Sequence, residues 1–145
     1  MTNLSKEAKS IMKLLPKRGD LLNPRCPTRD AIDSITGLWG VLILRALHEN
    51  QVLRNADLKR LVPGISEKML AQTLKRLERT AFVERRSYPV IPPKVEYRLT
   101  KLGQQCSVKL VDFCDFVEDH MRLIARQMLE YDLSDHSKTW QKPKR

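Results

Sequence analysis

Residues 65–79, Ile65-Ser66-Glu67-Lys68-Met69-Leu70-Ala71-Gln72-Thr73-Leu74-Lys75-Arg76-Leu77-Glu78-Arg79, decide the fold. Ser66 has the chemistry of a helix N-cap, with a hydroxyl that accepts from an otherwise orphaned backbone N–H. Ile65 and Leu70 occupy the two positions of a hydrophobic staple around it. Leu70, Leu74 and Leu77 then form one apolar stripe. At about 100° per residue the opposite face carries Lys68, Gln72, Lys75, Arg76 and Arg79. A basic helix face in isolation is usually only solvated. Here its neighbours give it a context.

Upstream, Asn55 to Leu61 reads as a brief helix with Asn55 as N-cap, ended by Pro63-Gly64. A short helix, a Pro-Gly turn and a second, basic-faced helix make a helix-turn-helix pattern. Downstream, Phe82 to Tyr88 reads as a strand, and Val95 to Leu99 alternates as a half-buried strand should. Pro89 to Pro93 between them is too long and proline-rich for a tight turn, and Arg85, Arg86, Lys94 and Arg98 surround it with positive charge. That is a wing.

Earlier in the chain, Leu4, Ala8, Ile11 and Leu15 suggest a short amphipathic helix, followed by a linker from Pro16 to Pro24. A second helix is expected after Pro27, with Thr28 as N-cap and Ala31, Ile32 and Ile35 facing inward. Gly37 breaks it, and a third helix from Leu38 to Glu49 is expected to bury Trp39, Leu42, Ile43, Ala46 and Leu47. Val52 to Arg54 fits a short strand. Beyond the wing, Thr100 caps a long final helix. Its seam of Cys106, Leu110, Phe113, Val117, Met121, Ile124 and Met128 is longer than a small winged domain covers, which points to pairing with a second copy. The expected fold is mainly α (α+β): a winged helix-turn-helix with a two- to three-stranded β-wing and a long C-terminal dimerisation helix. Its expected divisions are an N-terminal arm and linker (1–24), the DNA-binding domain (25–99), the dimerisation helix (100–131) and a mobile polar tail (132–145).

Composition agrees. The 145 residues carry 27 Lys and Arg against 17 acidic residues, a net +10 that favours a polyanionic partner. No apolar run approaches the roughly 18 residues of a membrane span, and Ile11-Met12-Lys13-Leu14-Leu15 fails as a signal-peptide core, so a cytoplasmic protein is expected. His48, His120 and His136 are scattered and belong to no catalytic constellation. Cys114, Glu118 and His120 are poorly phased for a shared metal. An enzyme is not expected, nor is a cofactor.

The major groove of double-stranded DNA accepts a helix and shows a distinct donor–acceptor pattern at each base pair. Gln72 has the chemistry to pair with adenine, and Arg76 or Lys68 with guanine. Ser66 and the nearby N–H groups suit a phosphate, and the wing cations suit the backbone or a minor groove. A homodimer would place two such helices on half-sites about 10 base pairs, or a small multiple, apart on an imperfect palindrome.

Together these segments resemble the HxlR family of bacterial transcriptional regulators, relatives of the MarR-type winged helices. The resemblance spans roughly Cys26 to His120. It rests on Cys26-Pro27, Gly37-Leu38-Trp39, Leu42-Ile43-Leu44-Arg45, Leu58-Lys59-Arg60 and the run from Pro63 to Leu70. It continues in Thr73-Leu74, Leu77-Glu78, Tyr88-Pro89, Pro92-Pro93-Lys94-Val95-Glu96-Tyr97 and Leu99-Thr100. It implies a homodimer that binds operator DNA and usually represses, sometimes activates, a nearby gene. Arg79-Thr80-Ala81 departs from the family's Asp-Gly-type helix end, and alanine tolerates left-handed backbone poorly, so an altered helix end is expected. Arg54-Asn55-Ala56 replaces a common Arg-Phe pair, and Phe116 stands near a frequent Trp.

Several family members sense electrophiles or oxidants through an N-terminal cysteine, and Cys26 matches that position. Its place before a helix N-terminus, between Arg25 and Arg29, favours the thiolate independently. Cys106 and Cys114 lie on or beside the apolar seam, where cysteine packs as a small hydrophobe. Two other readings stay open: a regulator controlled by a small ligand or by nothing, with Cys26 structural, and a winged helix for RNA or protein interaction.

Overall fold

The computed structural model describes residues 5–134. Among them the elements are α1 (Lys6–Leu14), α2 (Pro27–Thr36), α3 (Leu38–Asn50), β1 (Val52–Arg54), α4 (Asn55–Leu61), α5 (Glu67–Arg79), β2 (Val83–Tyr88), β3 (Lys94–Leu99), α6 (Lys101–Asp119) and α7 (Met121–Ser134). The strands form one antiparallel sheet in the order β1-β3-β2. Leu53 lies opposite Tyr97 and Val83 opposite Leu99, so the inward faces of all three strands meet the helices. This is a winged helix-turn-helix, with β2 and β3 as the wing and β1 completing a three-stranded sheet.

Ile43, Leu44 and Leu47 of α3, Leu58 of α4, and Leu70, Leu74 and Leu77 of α5 are almost wholly buried in one cluster. Burying each such side chain stabilises the fold by about 1.5–3 kcal/mol relative to exposure. That is what holds α5 in place. Gly40 lets α3 cross close to α2, since a Cβ there would lie 2.2 Å from the Ser34 carbonyl oxygen.

Several local expectations are corrected. Cys26, not Thr28, is the N-cap of α2, because Pro27 with its preset φ and missing N–H opens the helix at its first position. Arg54, not Asn55, precedes α4, and its N–H donates to Asp57 Oδ2 at 3.1 Å. On α2, Ile32 faces solvent, Ala31 is half-buried, and Ser34 is buried with Ile35; its hydroxyl donates to the Ala31 carbonyl at 2.7 Å. On α3, Leu44 is fully buried while Trp39 and Leu42 are only half-buried.

The final helix is two helices. His120 Nδ1 donates to the Phe116 carbonyl at 2.7 Å, and the His120 N–H turns to Val117 at 3.2 Å instead. The side chain thus takes the acceptor that an uninterrupted helix would give to the backbone. The second piece, α7, continues to Ser134, past the expected boundary at 131. Leu4 and residues 135–145, with His136 and most of the expected tail, lie outside the described residues.

Candidate nucleic-acid interface

Ser66 caps α5 as its chemistry requires: Oγ accepts from the Met69 N–H at 3.0 Å. Leu70, Thr73, Leu74 and Leu77 turn inward. The apolar stripe did not foretell Thr73; its hydroxyl is satisfied by donating to the Met69 carbonyl at 2.7 Å. Lys68, Gln72 and Lys75 are exposed on the opposite face. Neither lysine forms an ion pair among the described residues.

The C-terminal end of α5 is built differently. Arg76 pairs with Asp33 and lies 3.9 Å from Asp30, and Arg79 pairs with Asp30. The hydrogen bond and charge of Arg79, with the charge of Arg76, hold the Asp30 carboxyl below its ordinary range. Beneath these pairs the buried Ser34 hydroxyl lies 3.1 Å from Thr80 Oγ1. Sequence reasoning missed this junction with α2, whose partners stand 43 to 49 residues apart.

The helix end keeps the left-handed geometry despite its alanine. Ala81 has φ 66°. The Phe82 N–H reaches the Leu77 carbonyl and the Ala81 N–H the Glu78 carbonyl, both at 3.0 Å, which is the Schellman pattern. The expected alteration does not occur, and the chain leaves α5 aimed into β2.

On the wing, carboxylates temper most cations. Arg86 lies 3.3 Å and Arg98 3.6 Å from Glu84. Lys94 bonds Glu96 at 2.8 Å and sits 4.7 Å over the Tyr88 ring. The Lys94 and Tyr88 hydrogen bonds hold the Glu96 carboxyl below its ordinary range. Arg85 bonds only the Ser87 hydroxyl, at 2.8 Å, and makes no ion pair among the described residues. Ile91, at the loop tip, is fully exposed.

Cys26 sits at the N-terminus of α2. Its Sγ lies 3.2 Å from Thr28 Oγ1 and accepts from the Asp20 N–H at 3.4 Å. Hydrogen bonds from the Thr28 hydroxyl and N–H, then that from Asp20, pull the thiol below its ordinary value. These contacts, rather than Arg25 and Arg29, are the source of the effect; Arg29 is turned to the Leu21 carbonyl. Burial pushes the Cys106 thiol up, and Cys106 packs against the core.

Of the expected dimer seam, Leu110 packs half-buried against the chain's own core. Phe113, Val117, Met121 and Ile124 are exposed, as are Phe116, Leu123, Met128 and Leu129 beside them. The seam is anchored where Arg45 of α3 meets Glu118 at 2.6 Å and Asp115 at 3.7 Å. Nearer the start of α6, His48 Nδ1 and the buried Ser107 hydroxyl are 2.9 Å apart. Among the described residues no single helix is long and apolar enough to cross a membrane.

Residues 34–125 match the family model described as HxlR-like helix-turn-helix. The chain is 49% identical over 102 residues to the HTH-type transcriptional regulator YtfH of Escherichia coli K12, covering 70% of this chain and 80% of that protein. Among solved structures, the transcriptional regulator YtfH from Salmonella typhimurium superposes with a TM-score of 0.71 at 45% identity, covering 77% of this chain and 98% of that one. The redox regulator HypR in its reduced form superposes with a TM-score of 0.63 at 27% identity, covering 69% of this chain and 98% of that one.

Proposed function

The chain belongs to the HxlR-like helix-turn-helix family of transcriptional regulators, and we propose that it works in the cytoplasm as a homodimeric repressor on a palindromic operator. The observation that carries this reading is the solvent face of α5. A capped, buried-anchored helix presents Lys68, Gln72 and Lys75 to solvent beside a basic wing. Gln72 and Lys68 have the donors to read base edges, and Lys75, Ser66 and Arg85 the chemistry to hold phosphates, as do Arg86 and Lys94 once released from Glu84 and Glu96. Arg76, expected among the base readers, is engaged by Asp33. Pairing of the exposed α6–α7 seam through Phe113, Val117, Met121 and Ile124 duplicates the reading helix, with Leu110 at its inner margin.

The test is binding to the chain's own promoter segment as salt is raised. Steep salt dependence and a preference for that segment are expected, with Lys68→Ala and Gln72→Ala each costing about 5–150-fold in operator affinity, from 1–3 kcal/mol per base contact. Equal affinity for every duplex and for single-stranded RNA would refute the reading.

Cys26 is the proposed sensor of an oxidant or small electrophile. Two observations support it: the hydrogen bonds that favour its thiolate, and the likeness to a protein described as a redox regulator. Diamide or a quinone should release operator from wild type and not from Cys26→Ser. Identical responses would remove Cys26 from the mechanism.

A further inference from the structure

We propose that Asp30 and Asp33 of α2 are positioning residues, which withhold Arg76 and Arg79 from the DNA backbone and leave the contacts of α5 to Lys68, Gln72 and Lys75. The proposal rests on the DNA-binding function above, and goes beyond it in dividing α5 into a reading part and a restrained part.

Helix geometry makes the division. Taking Lys68 as the reference at about 100° per residue, Gln72, Lys75 and Arg79 fall within about 40° of it, and Arg76 lies about 80° round, toward buried Thr73. Arg76 therefore leans to the α2 side of the helix, where Asp33 and Asp30 receive it. Arg79 lies on the reading stripe by phase but is drawn aside to Asp30. Two of the four cations of α5 are thus neutralised by its neighbour, while Lys68 and Lys75 have no carboxylate partner among the described residues. The Ser34–Thr80 contact joins the two helices next to the pairs, which keeps α2 and the end of α5 side by side.

The consequence for DNA follows from where affinity comes from. Phosphate contacts supply non-specific binding, and base contacts supply discrimination. Removing two potential phosphate contacts per protomer lowers affinity for random and promoter duplexes alike and leaves Lys68 and Gln72 to discriminate. Exposed pairs of this kind contribute little to folding, so their substitution leaves the domain intact.

The experiment measures affinity for a random-sequence duplex and for the promoter duplex across about 50–200 mM salt. It compares wild type, Arg76→Gln/Arg79→Gln, Asp30→Asn/Asp33→Asn and the fourfold variant. The arginine variant is expected to keep the wild-type slope of log affinity against log salt. The aspartate variant should steepen it by up to about 3.6 for the four arginines of a dimer, at 0.9 per phosphate, so that its loss over that salt range grows by up to about 150-fold. It should also gain affinity on random and promoter duplexes alike, because phosphate contacts carry no sequence information, and the fourfold variant should return to the wild-type slope.

A drop of about 0.9 or more for the arginine variant alone would overturn the proposal, because the arginines would already be on phosphates. A gain that persists in the fourfold variant would also overturn it, because removed negative charge would then suffice. Wild-type binding that ignores salt would instead overturn the DNA-binding reading, and is distinguished by that.

Discussion

Gly103→Ala tests how α6 is joined to the winged domain. A Cβ on Gly103 would lie 1.9 Å from the Phe82 carbonyl oxygen and 2.9 Å from its carbon. That oxygen is fixed, because it accepts from the Thr100 N–H at 3.1 Å at the base of the wing. Thr100 in turn caps α6, accepting from the Gly103 N–H at 3.0 Å while its hydroxyl donates to the Ala81 carbonyl at 2.5 Å. Restoring contact at 3.4 Å would push the start of α6 away by about 1.5 Å and strain that whole junction. Overpacking costs about 1–3 kcal/mol and a lost backbone hydrogen bond about 1, against about 1 gained from alanine's better helix propensity. The expected net loss is about 1–3 kcal/mol, or roughly 4–12 °C in melting temperature for a domain of this size. Gly37→Ala is the control: its Cβ would meet only the Asp33 carbonyl oxygen at 3.5 Å, so it should stay within about 0.5 kcal/mol of wild type. Urea unfolding at one protomer concentration measures both, since assembly would otherwise shift the midpoints. A Gly103→Ala protein as stable as its control would refute this junction.

Three other outcomes are expected. Ala81→Gly should stabilise the protein by about 0.5–1 kcal/mol in the same assay, because it relieves about 1–2 kcal/mol of left-handed strain and returns part as unfolded-state entropy; no gain would mean the helix end is not left-handed. Iodoacetamide should alkylate Cys26 at a lower pH than Cys106, since hydrogen bonds favour the Cys26 thiolate and burial disfavours that of Cys106. Peptide mapping by mass spectrometry reads this, and equal pH profiles would contradict it. Phe113→Glu with Ile124→Glu should leave the helical circular dichroism intact, because both side chains are exposed in one protomer, yet yield monomers in sedimentation equilibrium; a persistent dimer would move the interface elsewhere.

The parts of the fold that were legible in the sequence are those set by local chemistry. Ser66 as cap, the buried Leu70, Leu74 and Leu77, the Gly37 break and the alternation at Tyr97 and Leu99 each follow from period or backbone preference. Where local rules competed, the reading slipped. Thr28 and Asn55 are both good caps, yet Pro27 and the backbone of Arg54 claimed those turns. Ala81 is a poor left-handed residue, yet the Schellman bonds and the buried Phe82 hold it there. The seam from Cys106 to Met128 is continuous by spacing, and only a side chain reaching back to Phe116 interrupts it.

What no periodicity could reveal is the role of α2. From sequence it was a core helix with a cysteine near its start. In the fold its N-cap is Cys26, and one turn later Asp30 holds Arg79. Asp33 then holds Arg76, and Ser34 touches Thr80. Four residues of helix span about 6 Å, so the thiol and the first of these contacts share one rigid turn. Gly40 packs α3 against the carbonyl of Ser34, which leaves α2 little room to move without moving the residues that hold α5. A group added at Cys26 has to displace its hydrogen bonds with Thr28 and Asp20, at the end of the helix that restrains the arginines. The proposed sensing thiol and the carboxylates proposed to restrain the arginines are therefore carried by the same ten residues and their cap.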